Sequence, residues 1–211
     1  MNTLQKSFAA FALTTAVAVL ATPAFAESMP QKMMKKTAMS QAAQTQQPPE
    51  ACPQPKATPA HAWLQQMVGE WQTQTKAYMG PNMPAQTATG TETVKPLGEF
   101  WTVSEVKSTM MDKPFSGMMT LGYDAKTNAY TGTWVDSMTG KLWQYQGAVD
   151  AAGKILTLES EGECPMRPGV MTRFKDVIEM KSPTEKQLTA YMLGEDGRWT
   201  MVMESTGQRI R

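Results

Sequence analysis

From Gly69 to the C-terminus, apolar and polar residues alternate with a period of two, and the alternation is broken at short intervals by turn chemistry. The clearest unit runs from Gly117 to Gly140, GMMTLGYDAKTNAYTGTWVDSMTG. In it Leu121-Gly122-Tyr123 enters the turn Asp124-Ala125-Lys126-Thr127-Asn128, and Tyr130, Gly132 and Trp134 then recur on one sheet face. A lone hairpin is marginal in water, so neighbouring strands must complete a sheet. Ten strands are expected, at about 70–78, 86–95, 99–109, 115–123, 129–136, 141–149, 154–161, 170–180, 186–193 and 198–205. Breaks such as Lys95-Pro96-Leu97-Gly98, Asp150-Ala151-Ala152-Gly153 and Glu195-Asp196-Gly197 place Gly or Asp where a positive φ is needed and Pro where φ is preset. No helical pattern separates the strands, which excludes parallel crossovers and predicts an antiparallel meander. A meander of this length leaves two raw edges unless it closes. The expected fold is therefore all-β: a closed or nearly closed antiparallel up-and-down β-barrel of about ten strands, a size that can enclose one small ligand.

Ahead of the first strand the period changes. Thr58 is placed as a helix N-cap with Pro59 at the first helical position; Trp63, Leu64 and Met67 share a face, and Gly69 ends the turn. A short N-terminal helix of this kind suits the plugging of one end of a barrel. Residues 27–59, with Met33-Met34-Lys35-Lys36 and the proline-rich Gln47 to Pro55 stretch, hold almost no branched or aromatic side chains and read as a flexible Met/Gln/Pro-rich linker. Residues 1–26 begin with Lys6, continue through an apolar run from Phe8 to Leu20, and end in Pro23-Ala24-Phe25-Ala26, the pattern of a cleaved secretory signal. The organisation expected is thus a signal peptide at 1–26, a linker at 27–59 and a barrel domain at 60–211, in a periplasmic or secreted protein.

Charge narrows the partners. The chain has 20 Lys+Arg against 19 Asp+Glu, and from His61 onward 15 against 17, a net charge of −2 with no basic stripe. Nucleic acid is not an expected partner. No later segment approaches the roughly 20 apolar residues of a membrane-spanning helix. Cys52 and Cys164, each followed by proline, are an even pair in an exported chain, and a disulfide between them is expected, with two free thiols or a soft-metal site as the alternatives.

Trp63-Leu64, Val68-Gly69-Glu70-Trp71, Leu121-Gly122-Tyr123-Asp124, Tyr130, Trp134-Val135-Asp136-Ser137 and Met201-Val202-Met203-Glu204 resemble the bacterial family catalogued as Domain of Unknown Function 1579, from about Ala60 to the C-terminus. The family is grouped with lipocalin-like, or calycin, barrels. The resemblance implies such a barrel with a short helix near one end, and it implies no activity, since analogy of fold does not fix function. The neighbouring nitrobindin-like calycins hold haem through a histidine near the C-terminal end of the barrel, whereas the single histidine here, His61, precedes the first strand.

One histidine builds neither a multi-histidine metal site nor a convincing nucleophilic triad, and His61 reads as a surface or helix-entry residue. Glu159, Glu161 and Glu163 alternate on one face, which suits a solvated outer surface better than a calcium site. Asp124 and Asp136 flank the central hairpin and read as turn residues; as a converging pair they would support an enzyme. Of 19 methionines, the pairs Met33-Met34, Met110-Met111 and Met118-Met119, with Met201 and Met203 two apart, invite a copper(I) reading. Adjacent methionines on a strand point to opposite faces, however, and an adaptable apolar lining is the simpler role. The favoured function is an exported, non-catalytic binding protein for a small, mostly apolar ligand, with no cofactor or metal. Its expected contacts are Trp134, Tyr130, Trp143, Tyr123 and Met119, with Arg173 as a polar anchor for a carboxylate headgroup. The alternatives are a filled barrel acting as an envelope interaction module through a protein partner of no stated kind, or Met-based copper binding.

Overall fold

The computed structural model describes residues 55–80 and 83–211. The expected signal, most of the linker, Cys52 and Met33-Met34 lie outside the described residues. One helix, α1 (Pro59–Gln65), precedes ten strands: β1 (Gly69–Ala77), β2 (Gln86–Leu97), β3 (Trp101–Met110), β4 (Lys113–Asp124), β5 (Ala129–Asp136), β6 (Trp143–Val149), β7 (Ile155–Cys164), β8 (Arg167–Ser182), β9 (Glu185–Leu193) and β10 (Trp199–Arg209). Each strand pairs antiparallel with the next, and β1 pairs with β10, so the meander closes into an up-and-down barrel. Closure gives every strand two neighbours and removes the edges.

The largest departure from the apolar pattern is at the seam. β10 runs past its expected end near 205 to Arg209, although Thr206, Gly207 and Gln208 carry no apolar rhythm. These residues are held by their partners across the seam, Thr206 by Gln74, Gly207 by Thr73 and Gln208 by Gln72. β10 also carries a register shift between Met201 and Met203. The bulge breaks the alternation that would have put the two methionines on one face: Met201 is exposed and Met203 turns inward.

Helix α1 closes the end of the barrel where the β2–β3, β4–β5, β6–β7 and β8–β9 turns gather. Thr58 caps it, accepting the His61 amide at 3.0 Å and donating its own amide to His61 Nδ1 at 3.0 Å. The helix is tied to the wall by Trp63 Nε1 donating to the Gly153 carbonyl at 2.8 Å and by the Tyr130 hydroxyl donating to the Ala60 carbonyl at 3.0 Å. His61 does enter the helix, but it is not at the surface: it is buried, with its ring edge-on to Phe100 at 5.1 Å and to Tyr123 at 5.5 Å. The helix stops at Gln65, and Gly69 instead opens β1. Arg209 satisfies the carbonyls past the helix end, donating to Gln66 at 2.7 Å and to Val68.

Gly69 shows how tightly this junction is built. Its φ is +143°, and an added Cβ would sit 2.3 Å from Arg209 Nη1 and 2.5 Å from the Arg211 carbonyl. A Gly69→Ala variant is therefore expected to lose roughly 2–3 kcal/mol of stability in urea unfolding, from backbone strain and overpacking together. A loss under about 0.5 kcal/mol, the range of ordinary surface changes, would contradict that packing.

The solid core occupies the helix half of the barrel. Leu64, Trp71, Leu156 and Leu158 are each 0 % exposed, and Trp63, Met67, Val94, Leu121 and Tyr130 pack with them. Toward the opposite end the filling stops and a cavity begins.

Candidate functional site

The cavity has a volume of about 390 Å³ and is lined by inward-facing residues of nearly every strand, with Met67 and Leu121 toward the helix and Phe115, Trp134, Met138 and Thr139 toward the far end. Its size falls in the range of small-molecule sites. Five methionines, Met67, Met110, Met119, Met138 and Met203, line it. Thioether side chains of this kind adapt to ligands of different shape. The neighbours of these methionines face away, as alternation requires: Met111 and Met118 are exposed.

The residues expected to touch a ligand fall into three groups. Met119 and Trp134 line the cavity. The Trp134 ring lies over Gly117, where an added Cβ would meet it at 2.2 Å, and its Nε1 donates to Asp136 Oδ2 at 3.0 Å. Tyr130 and Tyr123 face inward but belong to the helix seal: their rings pack edge-on at 5.1 Å, and burial, with Tyr123 as a lesser cause, pushes the Tyr130 phenol up to about 12. Trp143 also turns inward, but it packs edge-on against Phe174 at 4.9 Å and over Gly162, away from the cavity lining. Arg173 is not an anchor inside the barrel. It stands on the outer face of β8, paired with Glu159, because Phe174 and Asp176 take the inward positions on either side of the next outward residue, Lys175.

Besides Asp136, the charged groups that reach the interior are Asp176, Glu92 and Lys186. Asp176 on β8 accepts a hydrogen bond from the Tyr145 hydroxyl of β6 at 2.6 Å through Oδ2. Protein atoms surround the carboxyl while one side of it borders the cavity. Burial pushes it up to about 6, and the Tyr145 bond offsets part of that rise. Burial and the adjacent Asp176 charge push the Tyr145 phenol far above the ordinary range, so it stays a donor. Lower in the barrel, Lys186 of β9 meets Glu92 of β2 at 2.8 Å and lies 4.6 Å from the centre of the Trp71 ring. Burial lowers the Lys186 ammonium, and Glu92 partly restores it. A signal for both pairs was present in the sequence: Asp176 and Lys186 fall in phase with the apolar positions Ile178 and Leu188 of their own strands, where an unpaired charge would be costly.

The remaining candidates resolve as structural groups or stay separate. Asp124 sits at the helix end of the β4–β5 hairpin, where the Lys126 amide, the Thr127 hydroxyl and further turn bonds hold its carboxyl below the usual range. Asp136 sits at the other end of the same hairpin, opposite Gly117, and accepts the Met138 and Thr139 amides at 2.8 and 2.9 Å. The two carboxylates do not converge. Glu159 and Glu163 serve the outer face, Glu159 with Arg173 and Glu163 with the Gly169 amide. Among the described residues no three His, Cys, Asp or Glu side chains cluster as a metal site, and no helix is long and apolar enough to cross a membrane.

Of the expected Cys52–Cys164 pair, only Cys164 lies among the described residues. It is buried at the end of β7, with Sγ 3.9 Å from Met192 Sδ on the inner face of β9. Burial raises the thiol, but the Met166 amide and the Arg167 guanidinium together outweigh it and hold the thiol below the ordinary range. Cys164 is enclosed because it continues the alternation of β7, in phase with the buried Leu156, Leu158 and Ser160.

Comparison with known proteins adds the family and the fold. The sequence profile of the family described as "Protein of unknown function (DUF1579)" matches residues 56–209. No curated protein sequence matches the chain. The crystal structure of Rv2717c from M. tuberculosis is similar with a TM-score of 0.56 at 14% identity, covering 74% of this chain and 100% of that one. The phycobiliprotein lyase CPES from Guillardia theta follows with a TM-score of 0.45 at 11% identity, covering 72% of this chain and 93% of that one. The redesigned β barrel mFAP0, bound to DFHBI, has a TM-score of 0.39 at 17% identity over 69% of this chain and 100% of its own. The first of these shows a shared barrel fold and nothing further.

Proposed function

The chain belongs to the family described as "Protein of unknown function (DUF1579)", and we propose that it acts as an exported binding protein that holds a small, mostly apolar molecule inside the barrel without transforming it. The observation that carries this reading is the cavity of about 390 Å³, where methionine, aromatic and aliphatic side chains are interspersed with a few hydroxyl and charged groups, above a fully packed floor. A barrel serving only as a rigid surface for a protein partner has no need of that space, and well-filled interiors are the norm. Export rests on the signal pattern of residues 1–26. The copper alternative gains nothing from the described pairs Met110-Met111 and Met118-Met119, each of which puts one member in the cavity and the other outside.

Binding is tested with the neutral lipophilic dye N-phenyl-1-naphthylamine, whose fluorescence rises in apolar surroundings. Ala88 faces the cavity from β2, and an Ala88→Trp variant fills part of it from the wall. Wild-type protein is expected to bind the dye at one site, and the variant to bind it at least roughly tenfold more weakly, because an indole takes the ligand's place. Equal binding by both would place the dye elsewhere and contradict the reading.

A further inference from the structure

We propose that the molecule held in the cavity is an apolar amine, whose cationic nitrogen pairs with the Asp176 carboxylate; this rests on the binding function proposed above. Among the described residues lining the cavity, Glu92, Asp136 and Asp176 are acids and Lys186 is the only base. Lys186 is committed to Glu92 at 2.8 Å and to the face of Trp71. No free cation is left to receive a carboxylate, sulfonate or phosphate headgroup.

The three acids differ in what they have left to offer. Asp136 is engaged by Trp134 Nε1 at 3.0 Å and by the Met138 and Thr139 amides at 2.8 and 2.9 Å. Glu92 is held by Lys186. Asp176 has a single hydrogen-bond partner among the described residues, the Tyr145 hydroxyl on Oδ2, so Oδ1 remains for a donor from the cavity. Tyr145 donates its one proton to Asp176 and has none for an anion. The Thr75 and Ser205 hydroxyls bond to each other at 2.8 Å, which leaves them one proton to donate but no charge to balance an anion. The aromatic part of the wall, Phe115 and Trp134, favours a cation over an anion through the ring quadrupole. An enclosed carboxylate with an open oxygen in an apolar cavity is a strong attractor for a buried ammonium, because each relieves the other's desolvation. The raised Asp176 carboxyl agrees with this, since it marks a charge that lacks a counterion in the empty protein. The outward position of Arg173 removes the group that would have favoured the opposite polarity.

The test uses two ligands with one ring system and opposite heads, 2-(1-naphthyl)ethylamine and 1-naphthylacetate, each displacing N-phenyl-1-naphthylamine from the mature protein at pH 7.5. The amine is expected to compete roughly tenfold or more better than the acid, and the ratio to fall to within about twofold in Asp176→Asn, which keeps the shape and removes the charge. Equal or better competition by 1-naphthylacetate in the wild-type protein would overturn the inference, as would a ratio that survives in Asp176→Asn. In both cases dye binding itself would leave the carrier function standing. If the dye does not bind at all, the carrier function fails and the amine preference fails with it.

Discussion

Trp71→Ala is expected to lower the unfolding free energy by about 4 kcal/mol, the middle of the range for truncating a buried aromatic. Trp71 is 0 % exposed and connects three parts of the fold. Its Nε1 donates to the Met67 carbonyl at 2.9 Å, just past the helix. Its ring lies 4.1 Å from the Arg209 guanidinium, which crosses the seam from β10, and 4.6 Å from the Lys186 ammonium of the buried ion pair. Truncation would open a cavity, strand the Met67 carbonyl, and remove the aromatic face that both cations share. Since small domains hold only about 5–15 kcal/mol in total, the variant would be marginal. Urea unfolding followed by circular dichroism measures it. A loss below about 1 kcal/mol would mean that the helix, the seam and the floor are not coupled through this residue.

Asp176→Asn works in the opposite direction. The carboxyl stands at about 6 in the folded barrel against an ordinary 3.8. A folded-state value raised above the unfolded one means that the native protein binds this proton more tightly. The contribution is therefore fully present below about pH 4 and is lost as pH rises through about 6. At about 1.4 kcal/mol for each tenfold difference in proton affinity, the ionised carboxylate costs the empty protein about 3 kcal/mol at pH 7. Asparagine still accepts the Tyr145 hydroxyl, so the variant is expected to be about 2–3 kcal/mol more stable than wild type at pH 7 and no more stable near pH 4. Thermal unfolding of both proteins at the two pH values checks this. A variant less stable than wild type at pH 7 would show that the carboxylate is structurally favourable, not held at a cost. A group that destabilises the protein which keeps it is what a binding residue looks like in the absence of its ligand.

The strand rhythm was legible because closed antiparallel barrels alternate inward and outward residues along every strand, and turn residues mark each reversal. All ten strands appear in the structure within a few residues of where the alternation places them. The seam was not legible: Thr206 to Gln208 are ordered by β1 across the sequence, and no local pattern announces that partner. Alternation puts Met119, Trp134, Tyr123 and Tyr130 alike on the inner face, but it fixes the face of a residue and not its height along the barrel, so it does not separate the cavity wall from the helix end. The Tyr123 and Tyr130 rings lie in the helix half, against His61 and Trp63. Arg173 was misread for a different reason. It lies within the strand expected at 170–180, but alternation alone leaves open which of the two faces turns inward, and the inward set is Phe174, Asp176 and Ile178. An acid in phase with Ile178 and Met180, as Asp176 is, signals an internal polar site more strongly than a carboxylate beside a turn.

The most direct measurement is native mass spectrometry of the mature protein purified gently from its natural source, followed by denaturation to release whatever it carries. A carrier gives a one-to-one mass increase of a small apolar molecule, released on unfolding and absent from the Ala88→Trp variant, and the Asp176 site requires that molecule to contain a basic nitrogen. A mass equal to the polypeptide alone, for protein taken from its own compartment and kept undenatured throughout, would contradict the carrier function.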